Sequence, residues 1–318
     1  MKAIFFQQGG SGNALHYGDV PISEQCEDHQ VLVRIKAIGI NPIDYKIRAA
    51  PDRFPLTFPV IPGCDGAGIV EAVGRQVSHC KPGDNVYFSQ PGFNRRQGTY
   101  AEYALVDEQL VAMKPASLTF EQAAAVPLVA ITAWEALHDR ARISRGQTVL
   151  IYAGAGGVGH IAIQLAKHAG ATVATTVSND EKADFVKRLG ADKIINYCTQ
   201  NVEDEILQWT HGQGVDIVFD TVGGSTLQQC FRCVKYYGDV VTILQPSADF
   251  NWSDARLRNV RFSFELMLTP VLLELDHAKS HQADILRQCA TLFDDNRLSI
   301  QVARVFELAE AATAQQYL

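Results

Sequence analysis

The hydrophobic and polar positions of this chain keep two different beats. Residues 31–38, VLVRIKAI, place apolar and polar side chains in alternation, as a half-buried strand does. Short runs at 68–74, 85–88 and 100–107 extend the pattern. Gly/Pro punctuation separates them at Asn41-Pro42, Pro55, Pro59, Pro62-Gly63, Lys81-Pro82-Gly83-Asp84 and Gln90-Pro91-Gly92. Many short strands with such turns predict a small barrel-like β domain.

Near residue 117 the beat changes. Ser117-Leu-Thr-Phe-Glu121 carries a Ser/Thr cap with an acid in the first turn, and an alanine-rich helix follows. A helical pattern continues over 132–138. Strands are then predicted at 148–152, 172–177, 193–196, 215–221 and 239–244, with a further one at 260–264. Helices around 181–189, 202–209 and 225–236 alternate with them, which means a parallel, doubly wound sheet. The last fifty residues read as a helix (278–294), a strand (299–306) and a final helix from Leu308. That tail is expected to return to the β domain. The expected division is therefore 1–122 with 266–318, and 123–265.

The stretch TVLIYAGAGGVGHIAIQLAKHAG, 148–170, organises the second domain. A buried strand leads into Gly154-Ala155-Gly156-Gly157-Val158-Gly159, and Ile161, Leu165, Ala166 and Ala169 then recur at helical spacing. In a strand–turn–helix context the first glycine is expected to make the turn. The second lets backbone approach a pyrophosphate, and the third lets helix and strand pack closely. The helix N-terminus offers unpaired N–H groups to the phosphates.

Composition narrows the picture. The chain has 318 residues, 47% of them hydrophobic, enough for two cores. A net charge of −7 argues against a nucleic-acid surface. MKAIFFQQGG turns polar too soon for a signal peptide, and no run approaches the roughly 18 apolar residues of a membrane span. Seven scattered cysteines suit a reducing, cytoplasmic setting.

Six motifs jointly resemble the medium-chain dehydrogenase/reductase superfamily, and within it the zinc-independent quinone oxidoreductase branch. They are Gly39-Ile-Asn-Pro-Ile-Asp44, Ile61-Pro-Gly-Cys-Asp-Gly-Ala-Gly68, Gly98-Thr-Tyr-Ala-Glu-Tyr103, Thr132-Ala-Trp-Glu-Ala-Leu137, the glycine turn and Phe219-Asp-Thr-Val-Gly-Gly224. The resemblance implies an α/β protein with a GroES-like β-barrel catalytic domain and a Rossmann domain, and a homodimer. It also implies a Gly-Lys-containing final strand, which this chain, ending Tyr317-Leu318, does not carry.

NAD-preferring sites place an acid about 20 residues after the glycines, where it accepts from the ribose 2′-OH. Here the strand ends Thr176-Val177-Ser178, with no acid. Lys182, one helical turn on, can compensate a 2′-phosphate. The resemblance adds Tyr197 as another 2′-phosphate contact, so NADPH is the expected cofactor. In the competing reading Asp180 or Glu181 takes the ribose and Lys182 is an exposed helix lysine. Thr132 and the residues past the strand ends, Val222, Leu244 and Phe264, complete the expected cofactor contacts, the last three by the rule for ligands at carboxyl ends of strands.

Zinc favours S and N donors in tetrahedral array. At the positions where zinc relatives carry their ligands this chain has Asn41, Cys64 and the apolar 125–128, so no metal is expected. Cys230-Phe-Arg-Cys233 lacks a second pair. His277 and His281 have ligand spacing but lack the glutamate of HExxH.

Without a metal, hydride transfer to a quinone or α,β-unsaturated carbonyl needs the least help, because charge delocalises onto the carbonyl oxygen. Asn41 can bond the nicotinamide ribose or the acceptor, Tyr45 or Lys46 can donate to the carbonyl oxygen, and Asp44 orients its neighbours. Alternatively Asp44, Tyr45 and Arg48 only stabilise a short helix. An enoyl-thioester reductase and a non-catalytic NADPH-binding sensor or structural protein are the other functional readings.

Overall fold

The computed structural model describes residues 1–22 and 25–318. They form two units, Met1–Leu128 with Leu268–Leu318, and Val129–Met267. The first boundary falls inside the helix Pro127–Trp134, a few residues beyond the expected 122/123.

In the first unit β1 (Lys2–Phe5) pairs antiparallel with β2 (His16–Asp19). A five-stranded antiparallel sheet is built from β3 (Gln30–Gly39), β4 (Asp65–Val73), β5 (Asn85–Ser89), β6 (Tyr103–Asp107) and β7 (Val111–Met113), in the order β6-β3-β4-β5-β7. Val31, Leu32 and Val33 are all buried, so the start of β3 departs from simple alternation. The cause is local: pairing with β4 slips by one residue between Leu32 and Val33, and a bulge re-aims the side chains. The helix Pro42–Ala49 follows β3 directly.

The second unit carries β8 (Thr148–Ile151), β9 (Thr172–Val177), β10 (Lys193–Asn196), β11 (Val215–Asp220), β12 (Val234–Thr242) and β13 (Arg261–Phe264). Their order is β10-β9-β8-β11-β12-β13, all pairs parallel. The order reverses direction between β8 and β11, the switch point where doubly wound sheets bind ligands. Leu150, Ala174, Ile195, Val218 and Val240 are buried in its core, as strands covered on both faces require.

Three local expectations need correction. The helix expected over 225–236 ends at Cys233, because Val234 already pairs with Val215 and starts β12. The helix through 132–138 changes winding at Glu135–Arg140, which form a π-helical turn. Residues 299–306 are not a strand: among the described residues no segment pairs with them, and alternation alone does not supply the ladder.

Candidate functional site

The glycine turn forms between strand and helix as expected, with a different division of labour among its residues. The left-handed residue is Ala153 (φ 50°), not the first glycine. Gly154 is needed for space, since a Cβ there would lie 2.0 Å from Thr175 Oγ1. A Cβ on Gly159 would lie 2.3 Å from the Ala153 carbonyl oxygen and 2.9 Å from Gly154 Cα. The third glycine therefore permits the close helix approach expected of it. Gly156 caps the helix Gly157–His168 with no side chain over its first turn. Gly156 and Gly157 are exposed and Val158 is half-buried, so backbone N–H groups at a positive helix end stay open to an anion.

Two residues the sequence did not single out fix this turn. Thr176 Oγ1 accepts from the Ala153 N–H at 2.9 Å, and the Thr176 carbonyl accepts from the Gly154 N–H at 3.1 Å. Thr175 Oγ1 donates to the Ile151 carbonyl at 2.7 Å. The available signal was two consecutive threonines late in a strand whose other residues after Thr172 are apolar. On the other side a Cβ on Gly157 would sit 3.2 Å from Val129 Cγ1, so the helix bearing Thr132 packs against the turn. Thr132 itself is buried.

Ser178, Lys182 and Tyr197 come together at the ends of β9 and β10. Lys182 Nζ donates to Ser178 Oγ at 3.2 Å. The Tyr197 N–H donates to the Val177 carbonyl at 3.1 Å, which puts the tyrosine beside Ser178. Lys182 is exposed and Tyr197 is 54% exposed, as a phosphate-binding edge requires. Asp180 and Glu181 occupy the first turn of the adjacent helix Asp180–Arg188, where acids also suit the helix dipole.

Past β11 and β12 one buried carboxylate shapes two loops. Asp220 Oδ1 accepts from the Val222 and Gly223 N–H groups at 3.0 and 2.9 Å, and its Oδ2 accepts from Thr242 Oγ1 at 2.8 Å. Thr242 Oγ1 in turn accepts from the Leu244 N–H at 3.2 Å. Val222 and Phe264 are left about half exposed at the carboxyl ends of their strands. Gly223 has φ 73°, and a Cβ on it would lie 2.7 Å from Leu244 Cδ1. Asp220 was quoted only as part of a motif; its organising role emerges from the fold.

In the first unit Asn41, Asp44, Cys64, Asp65 and Tyr100 form a buried polar cluster. Asn41 precedes the helix Pro42–Ala49. Its N–H donates to Asp44 Oδ2 at 2.9 Å, and its amide donates to Asp65 Oδ2 at 2.9 Å. The Leu128 N–H reaches the same Asp65 oxygen at 3.0 Å. Tyr100 Oη donates to Asp44 Oδ2 at 3.0 Å. Burial lifts the Asp44 carboxyl to about 6 against the hydrogen bonds that favour its anion. Burial likewise lifts Asp65 to about 7, with Asp44 adding repulsion, and pushes the Cys64 thiol well up.

Tyr45 is half-buried and Lys46 exposed on the same short helix. Neither side chain has a hydrogen-bond partner among the described residues, so both are available to a bound molecule. Arg48 does more than stabilise its own helix: its Nε and Nη2 donate to Gln315 Oε1 at 3.2 and 3.0 Å, and Nη1 donates to the Gly10 carbonyl.

Around Asn41 the amide donates to Asp65 and burial keeps the neighbouring thiol neutral; Asp44 Oδ2 and Asp65 Oδ2 accept N–H and O–H groups, while the Oδ1 of each has no such partner. Among the described residues no three His, Cys, Asp or Glu side chains are grouped to hold a metal ion. Cys230 and Cys233 are both buried core residues. No helix in the described residues is long and apolar enough to cross a membrane.

Comparison with known proteins agrees with this layout. Residues 27–116 match the family described as alcohol dehydrogenase GroES-like domain, and residues 157–266 match that described as zinc-binding dehydrogenase. The 2-methylene-furan-3-one reductase of Solanum lycopersicum is 38% identical over 76% of this chain, which spans 62% of that protein. A 2-haloacrylate reductase of a Burkholderia species is 32% identical over 100% of this chain and 95% of its own length. The Escherichia coli quinone oxidoreductase, solved in complex with NADPH, superimposes with a TM-score of 0.86 at 27% identity, covering 99% of this chain and 95% of that one.

Proposed function

This chain belongs to the medium-chain dehydrogenase/reductase superfamily, in its quinone oxidoreductase branch, and on that footing we propose that it is an NADPH-dependent, metal-free reductase of quinones or α,β-unsaturated carbonyls. The observation that carries the reading is the Ser178–Lys182–Tyr197 corner beside an open glycine-turn helix end. A hydroxyl, an ammonium and a phenol suit a 2′-phosphate, whereas an NAD site would place a carboxylate there. The solved quinone oxidoreductase complex with NADPH supports the same cofactor.

Bound NADPH supplies the hydride; the protein supplies position and polarity. The helix end after Gly156 binds the pyrophosphate, and the Asp220-organised loops carry Val222 and Leu244 toward the nucleotide. Asn41 is held by its two carboxylate partners, with Tyr45 or Lys46 donating to the acceptor oxygen as negative charge develops on it. A conjugated acceptor spreads that charge, so a hydrogen-bond donor suffices where a simple ketone would need a Lewis acid. The amide at Asn41 and the donor set around it support the metal-free reading. A cytoplasmic homodimer completes the proposal; the seven free cysteines suit the compartment, and the family resemblance carries the dimer.

The test is a steady-state panel of quinones, short enones and simple ketones with NADPH and with NADH. NADPH oxidation by conjugated acceptors, at a kcat/KM at least about tenfold above that with NADH, is the expected result. Comparable rates with both cofactors, or turnover of simple alcohols with stoichiometric zinc by elemental analysis, would overturn it.

A further inference from the structure

Tyr100 belongs to none of the roles assigned so far, yet the chain goes to some trouble to bury it against Asp44. Its ring is fully buried, and Gly63, at φ 98°, makes room for it: a Cβ there would lie 2.2 Å from Tyr100 Cδ1. The Tyr100 N–H donates to the Pro62 carbonyl, and its carbonyl accepts from Ile4, so the backbone is fixed on both sides. At the far end of the ring the hydroxyl donates to Asp44 Oδ2. Behind it stands Gln315, whose amide lies against the hydroxyl and whose Oε1 is gripped by Arg48.

We propose that Tyr100 is a positioning residue for Asn41, acting through Asp44. The hydroxyl and the Asn41 N–H meet on one carboxylate oxygen, so the phenol selects the Asp44 anion and the rotamer that faces Asn41. A protonated Asp44 can accept only weakly at that oxygen, and the N–H of Asn41 loses its anchor. The sequence reading places Asn41 on the nicotinamide ribose or the acceptor, and this inference rests on that role within the proposed function.

The groups that face Asp44 are few. Cys64 and Asp65 approach it from the segment that begins β4, the first a neutral thiol and the second a carboxyl that disfavours a neighbouring anion. Tyr100 comes from the segment before β6, and Asn41 from the start of its own helix. Arg48, one turn on from Asp44, contributes its charge toward Tyr100 and spends its donors on Gln315 and Gly10. The Tyr100 hydroxyl is thus the one side-chain O–H donor that these groups offer to Asp44. Its removal leaves the anion with the Asn41 backbone N–H and the neighbouring Cys64 thiol.

The experiment compares Tyr100→Phe with Tyr87→Phe. Tyr87 is a matched control: equally buried in the same unit, its hydroxyl donates to the Leu286 carbonyl and not to an acid. The acid limb of the kcat/KM profile with NADPH and a quinone is expected to move up by roughly 0.5–1 pH unit in Tyr100→Phe and to stay in place in Tyr87→Phe. Combining Tyr100→Phe with Asp44→Asn should give no shift beyond Asp44→Asn alone. An unmoved limb in Tyr100→Phe, or an equal shift in Tyr87→Phe, overturns the proposal. Carboxyl titration of Asp44 by 13C NMR reads the same shift without turnover, in wild type and in Gln315→Met if Tyr100→Phe does not fold. A raised Asp44 midpoint in a protein that reduces no acceptor would sustain the link and sink the functional reading; an unraised midpoint sinks the link.

Discussion

The second unit and the first solve the placing of polar groups in opposite ways. Around the glycine turn the working groups are backbone N–H, a lysine and a phenol left open at strand ends, all within fifty residues of one another. Around Asn41 they are two buried carboxyls with amide, thiol and phenol neighbours, drawn together from residues 41–44, 64–65, 100 and 315. The first arrangement leaves its groups open at the surface, as the proposed cofactor site needs. The second is assembled from the unit's own side chains, with Asp44 Oδ1 and Asp65 Oδ1 buried without a partner, and its cost is paid in raised carboxyl pKa values. Local chemistry recruits a ligand; long-range burial holds a side chain still.

The largest test of that contrast is steric. Gly159→Ala puts a Cβ 2.3 Å from a backbone oxygen that cannot move without opening the turn. NADPH affinity by fluorescence titration should fall at least about 100-fold, with a lowered Tm. Gly156→Ala meets nothing nearer than 3.2 Å. It should lower Tm far less while weakening NADPH, because the new methyl presses only lightly on the Ala153 carbonyl oxygen and adds bulk at the exposed helix end proposed to hold the pyrophosphate. Equal loss of Tm in the two variants would mean the turn is not packed as described.

The buried side is tested by removing a charge. Asp65 titrates near 7 in the folded chain against an ordinary 3.8. Between those values the native state holds more protons than the unfolded one, so stability falls as pH rises from about 4 to about 7, then levels off. Asp65→Asn keeps an oxygen for the Asn41 and Leu128 donors and removes the buried anion. The variant should lose less stability across that range, gaining on the order of 1–3 kcal/mol relative to wild type at pH 8. Thermal unfolding at pH 5 and pH 8 measures it. A larger drop in the variant than in wild type would show that the ionised carboxylate is the stabilising form.

This difference also governs what the sequence could say. Gly154 to Gly159, Ser178 and Lys182 lie at fixed offsets from a strand whose apolar run is unmistakable, so the edge proposed for the nucleotide was readable from residue spacing. Tyr100, Asp65 and Gln315 have no such offset from Asn41: only the pairing of β3 with β4 and the return of the C-terminal helix bring them near. The role of Asp220 was hidden for the same reason, since its partners are the N–H groups of a loop and a threonine one strand away. The strand expected at 299–306 failed in the other direction. Alternation was present there, but a strand also needs a neighbour.

Lys182→Ala sharpens the open side. The lysine is exposed and held only by Ser178, so its worth to a phosphate is screened by salt. KM for NADPH should rise about tenfold at low ionic strength, less at 0.5 M salt, with KM for NADH unchanged. Loss of both cofactors equally would return Lys182 to the role of an exposed helix lysine.

The smallest effect belongs to Tyr197. Its backbone, not its hydroxyl, ties it to Val177, and the ring is half exposed. Tyr197→Phe therefore leaves the strand end intact and, on the proposed reading, subtracts one neutral hydrogen bond to a 2′-phosphate that Lys182 and Ser178 would still hold. Neutral donors facing solvent contribute little, so KM for NADPH should rise only about two- to threefold, and that for NADH not at all. In a Lys182→Ala background the same change should matter more, because the phenol would then share the phosphate with Ser178 alone. Strict additivity of the two substitutions in ΔΔG would place Tyr197 outside the phosphate's reach and narrow the corner to the serine and the lysine.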